Sequence, residues 1–140
     1  MIGLMESDKI KETKNILMPL FEAEPAVAFV YLFGSQATGK AGPMSDYDFA
    51  VFFDEEDTKK RHEILFRLGG AINKALGSDA IDIHCLNDLY APELKFNIIH
   101  DGVLLFERGG LRLIIEPRIL NEYFDFTYLL RKYGLTKQVA

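Results

Sequence analysis

Eight consecutive apolar residues, Ala26 to Phe33 (AVAFVYLF), stop at Gly34-Ser35, and ten residues later the chain resumes as Asp46-Tyr47-Asp48 followed by FAVFF. A short run so rich in β-branched and aromatic side chains, closed by a turn, reads as a buried strand. The intervening QATGKAGPMS carries Gly39, Gly42 and Pro43 and little bulk, so it reads as a loop. YDFAVFFD then reads as a second strand. Asp46 and Asp48 lie two residues apart at its start and project to one side of an extended segment. Two carboxylates there make a poor core and a good cation site.

Mg²⁺ takes hard oxygen ligands and commonly combines one or two carboxylates with substrate phosphates. Asp46 and Asp48 supply carboxylates, and Gly34 and Ser35 form a turn where phosphate oxygens could approach backbone N–H groups, with the Ser35 hydroxyl as a further donor. A second metal would need a third acid. Asp82, in the apolar segment AIDIHCL, is the candidate, with Asp79 in the preceding loop as its competitor. His84 shares a strand face with Asp82 but reads as structural or merely exposed.

GSQATGKAGPMSDYD resembles the G-S-x(10)-D-x-D signature of the DNA polymerase beta-like nucleotidyltransferase superfamily, and Asp82 falls where that family has its third acid. The chain is similar to the minimal nucleotidyltransferases, stand-alone catalytic domains, over about residues 20–108. The resemblance implies an α/β (α+β) nucleotidyltransferase fold, a mixed sheet with helices packed on it, in a single domain over residues 1–140. It implies Asp46, Asp48 and Asp82 as catalytic residues and ligands of two Mg²⁺ ions, and Gly34 and Ser35 as nucleotide contacts, to which Lys40 is added as a nucleotide-binding candidate from the residues themselves. It further implies transfer of AMP from ATP to a hydroxyl. Where many relatives carry an arginine this chain has Thr38, and Lys40, two residues on, is either its partial substitute or a solvated loop lysine.

Stand-alone members of the family commonly act as antitoxins beside a helical HEPN-domain ribonuclease, adenylylating one of its tyrosines. The resemblance therefore implies a HEPN-domain toxin as partner, in a hetero-oligomer. Two other readings stay open. One is an antitoxin that masks its toxin by binding alone; the other is an enzyme that nucleotidylates a small molecule of the aminoglycoside type.

Of 140 residues, 49% are hydrophobic and 26% charged, which suits an ordinary soluble domain. A formal charge of −5 argues against direct grip on a nucleic-acid backbone, which relies on clustered Lys and Arg. The one cysteine, Cys85, reads as a buried apolar residue in a reducing compartment. MIGLMESDKIKETK lacks the apolar core of a signal peptide, and no run is long enough to span a bilayer, so a cytoplasmic location is expected.

The spacing predicts a helix capped by Ser7 or Asp8, with Ile10, Ile16, Leu17, Leu20 and Phe21 inward and Pro25 at its end. A second runs from Asp57 or Thr58 to a stop at Gly77, and its Gly69-Gly70 pair suggests close packing on the sheet. Ala80 to Leu86 is the third strand. Pro92 opens a short helix that Gly102 closes, and VLLFE follows as an edge strand. A helix over about 111–134, kinked or restarted at Pro117, has apolar residues on more than one face and reads in part as a partner-binding element. His62 and His100 read as surface residues.

Overall fold

The first apolar run does become the centre of the molecule. In the structure, a computed structural model describing residues 8–38 and 46–135, β1 (Val27–Phe33) is buried along all but its last residue. The sheet has the order β3-β2-β1-β4. β1 pairs antiparallel with β2 (Tyr47–Phe53) and with β4 (Val103–Glu107), while β2 pairs parallel with β3 (Ile81–Cys85). The sheet is therefore mixed, as expected, with β4 on one edge and β3 on the other.

Side chains alternate between the two faces of a strand, and each face has its own helical cover. Val30 and Leu32 of β1, with Phe49, Val51 and Phe53 of β2, meet Leu17 and Phe21 of α1 (Asp8–Glu22) and Leu68 and Ile72 of α3 (Thr58–Leu76). On the opposite face, Phe29, Tyr31 and Ala50 meet Ile98 of α4 (Pro92–Asp101) and Ile119 of α5 (Leu111–Lys132). The first helical turn after β1 is α2 (Ser35–Thr38), where the sequence had suggested only loop.

Helix ends follow local chemistry. Asp57 caps α3, its Oδ1 accepting from the Lys59 N–H at 2.9 Å, and Gly77 ends it in the left-handed region at φ +62°. Gly69 is close to the sheet: a Cβ there would stand 3.3 Å from Ile83 Cγ2, whereas Gly70 faces open space. Only one glycine of that pair is needed for packing.

Three expectations need correction. Ile16 of α1 is exposed, and Thr13 occupies the buried face instead, its hydroxyl donating to the Lys9 carbonyl at 2.9 Å so that no polar group is stranded. α1 also ends at Glu22, before Pro25. Pro117 neither breaks nor restarts α5, which runs unbroken to Lys132. Proline removes the N–H that would bond the Leu113 carbonyl four residues back; Leu113 is exposed, so water can take that place.

Two arginines have structural work that the sequence did not announce. Arg61, buried, binds Asp88 through Nη2–Oδ1 at 2.6 Å and donates to the carbonyls of Glu55 and Glu56 at 2.8 and 3.0 Å. Arg108 donates to the carbonyls of Glu24, Pro25 and Val27 at 2.8–3.0 Å and to that of Glu22 at 3.0 Å. It satisfies the end of α1 and pins the residue after β4 to the entry of β1.

Candidate active site

Register brings the acids together. Asp48, second residue of β2, lies opposite Phe33 on β1 and Asp82 on β3, and Ala50 lies opposite Tyr31 and His84. Cross-strand partners point to the same face, so Asp48, Asp82 and His84 share the face covered by α4 and α5. Those helices pack over the β1 side of the sheet. Among the described residues nothing equivalent covers the β3 side, so Asp82 is exposed and Asp48 and His84 are half-buried.

Asp48, Asp82 and His84 each offer a ligand atom, all within 4.8 Å of one another. Burial is the main cause that raises the Asp48 pKa above the usual carboxylate range, and the negative charge of Asp82 adds to it. His84 pulls the other way, and Asp46 contributes a smaller push upward. No lysine or arginine among the described residues acts on Asp48. Two converging carboxylates with no lysine or arginine among the described residues acting on Asp48 suit a divalent cation, and a donor set of two oxygens and one imidazole nitrogen fits one.

Asp46 is different. It is exposed, precedes β2, and stands outside the trio, although Asp48 feels its charge. His84, which the sequence reading set aside, stands inside it. The available signal was the two-residue spacing of Asp82 and His84 on one strand.

Gly34 joins the acids to the turn. Its φ of +77° lies where L side chains rarely go, and a Cβ on it would fall 2.5 Å from Asp48 Oδ2. The glycine is thus required first by the carboxylate that rests against it. Ser35 opens α2, in which the Ala37 and Thr38 N–H groups donate to the Gly34 carbonyl at 3.1 and 3.3 Å. Thr38 is exposed and Asp79 stays in the loop before β3. Lys40 lies outside the described residues.

Comparison with known proteins agrees with this geometry. The chain is 33% identical over 107 residues, 72% of this chain and 71% of the other, to protein adenylyltransferase MntA of Aphanizomenon flos-aquae (strain 2012/KM1/D3). Its fold is that of a chain in a toxin–antitoxin crystal structure with AMP-PNP, at a TM-score of 0.69 and 20% identity, covering 86% of this chain and 94% of that one. A chain from the complex of tri-AMPylated Shewanella oneidensis HEPN toxin with MNT antitoxin gives 0.65 and 18%, covering 89% and 94%. The family model described as "Polymerase beta, Nucleotidyltransferase" matches residues 15–109. That span runs from within α1 to just past β4 and takes in the glycine turn and every member of the acidic cluster, so the chain belongs to the polymerase beta nucleotidyltransferase family.

Proposed function

We propose that this chain is a protein adenylyltransferase that moves AMP from ATP onto a tyrosine hydroxyl of a HEPN-domain ribonuclease toxin, and so acts as the antitoxin of the pair. The observation that carries this reading is the 33% identity, over 107 residues, to a protein adenylyltransferase. In the reaction the hydroxyl oxygen attacks the α-phosphorus, the bond to the β-phosphate oxygen breaks, and pyrophosphate leaves with the electron pair.

Asp48 and Asp82 are the residues assigned to hold divalent metal, with Asp46 completing the set from the approach to β2. What such ions supply when bound, two Mg²⁺ in this reading, is neutralisation of phosphate charge and a more acidic acceptor hydroxyl. Gly34 and Ser35 are assigned to the β and γ phosphates together with Lys40. Asp48 rests against the turn, so the metal ligands and the phosphate cradle form one rigid unit, and placement supplies much of the acceleration.

A small-molecule acceptor is less well served, because no described element walls the β3 side of the cleft. A protein acceptor brings its own wall. We assign partner docking to α5, which lies beyond the family match and exposes Leu113, Ile114, Phe124 and Tyr128. Leu113, Phe124 and Tyr128 recur at helical spacing along one stripe. The same stripe favours a second reading, an antitoxin that silences its toxin by masking alone. With no helix among the described residues long and apolar enough to cross a membrane, and Cys85 free and buried, we place the protein in the cytoplasm.

Incubating the HEPN partner with this chain, ATP and Mg²⁺ and weighing it by mass spectrometry tests the proposal. A gain of one or more adenylyl units, lost with Asp48→Ala, is the expected result. Protection of the partner without any mass change, surviving Asp48→Ala, would establish masking.

A further inference from the structure

We propose that His84 is a direct metal ligand beside Asp48 and Asp82, and that its nitrogen shifts the site's preference from Mg²⁺ toward Mn²⁺. The inference rests on the reading of this cluster as the metal site of the nucleotidyltransferase, and it concerns which ion that site selects.

The geometry places the imidazole there for local reasons. β3 alternates, so Asp82 and His84 face the same way, and the residue in register beside His84 on β2 is Ala50, whose methyl leaves the space over the sheet open to the ring. The Phe33 ring, with its centroid 5.5 Å from that of His84, flanks the imidazole. The outcome is an imidazole nitrogen within 4.8 Å of carboxylate oxygens from both acids. Atoms that share one ion at bond lengths of about 2.1–2.2 Å stand no more than about 4.4 Å apart, so only slight adjustment is needed to enclose one.

Donor chemistry then ranks Mn²⁺ above Mg²⁺ at this site. Mg²⁺ favours oxygen ligands in strict octahedral geometry and retains its waters, which makes imidazole a poor partner. Nitrogen ligands favour first-row transition ions, while carboxylates suit Mg²⁺, Ca²⁺ and Mn²⁺. Mn²⁺ satisfies both halves of this mixed set. Asp46, an all-oxygen donor outside the trio, remains for the ion that travels with the triphosphate.

The test measures binding by the full chain without nucleotide. Mn²⁺ is titrated by calorimetry, Mg²⁺ by competition against it, and the Mn²⁺ complex is examined by pulsed electron paramagnetic resonance for coupling to ¹⁴N. Nitrogen coupling is expected in the wild type and should vanish in His84→Asn and His84→Phe, the second of which keeps a ring beside Phe33. The Mn²⁺ over Mg²⁺ affinity ratio should fall at least about tenfold in both. A nitrogen-free wild-type spectrum, or an unchanged ratio in both folded variants, overturns the inference. If AMP transfer and metal binding persist in that case, His84 alone has been misassigned. If the folded chain binds neither ion, the reading of the site fails with it.

Discussion

Replacing Gly34 by alanine separates what the backbone needs from what the site needs. Two costs follow from the structure. The first is conformational: at φ +77° an L side chain costs about 1–2 kcal/mol, which for a chain of this size lowers the melting temperature by about 3–8 °C. The second falls on Asp48. A Cβ at 2.5 Å from Oδ2, set against an ordinary carbon–oxygen contact of about 3.3 Å, drives the carboxylate back by about 0.8 Å. Misplacement on that scale costs about 100-fold in rate, or about 2.7 kcal/mol of transition-state stabilisation. Gly77→Ala is the matched control, because Gly77 has φ +62° and nothing within 4 Å of the added methyl. Both variants should melt earlier by similar amounts in calorimetry, while only Gly34→Ala loses kcat/KM for adenylyl transfer to the partner protein. Transfer at the wild-type rate by Gly34→Ala, or an equal loss in both variants, would refute the coupling of turn to carboxylate.

Asp82→Asn should abolish transfer yet leave the metal-free melting temperature unchanged or slightly raised, since it relieves repulsion on Asp48; a large drop in calorimetry would count against this. The Arg61 hydrogen bond holds Asp88 below the usual carboxylate range, so its stabilisation is complete above the unfolded value near 3.9 and is lost as pH falls through the lower folded value. Urea midpoints measured from pH 6 downward should show that decline, and Asp88→Asn should flatten it. Burial pushes the Cys85 thiol up to about 11, leaving about 0.1% thiolate at pH 8. An aromatic disulfide reagent should therefore label it slowly until urea unfolds the chain, and rapid labelling of the native protein would contradict its burial.

Much of the fold could be read from local patterns because the local chemistry was unopposed. β1 and β2 appeared as apolar runs, α3 showed Asp57 and Gly77 at its ends, and β4 followed Gly102 as an edge. Asp48 and Asp82 were legible as acids misplaced in apolar strands. Their pairing with His84 was not, because it depends on the register that sets Asp48 against Asp82 across two strands far apart in the chain. Asp46 and Asp48 looked equivalent by spacing, yet only Asp48 is within the paired strand. Arg61 and Arg108 gave no local signal of their roles, since nothing nearby in the sequence shows that backbone carbonyls will converge on a guanidinium. In α1 the periodicity placed Ile16 inward, but a helix against one sheet face buries a narrow stripe, and Thr13 could fill it by satisfying its own hydroxyl.

Among the described residues, the sheet face bearing the acids is roofed over β1 by α4 and α5 and left open toward β3. A reaction centre built this way is half a vessel. In the proposed reaction, the partner that presents the hydroxyl would also close this gap and expel the water. Recognition and desolvation would then be a single event, and the nucleotide would be shielded from idle hydrolysis while its proper acceptor is seated.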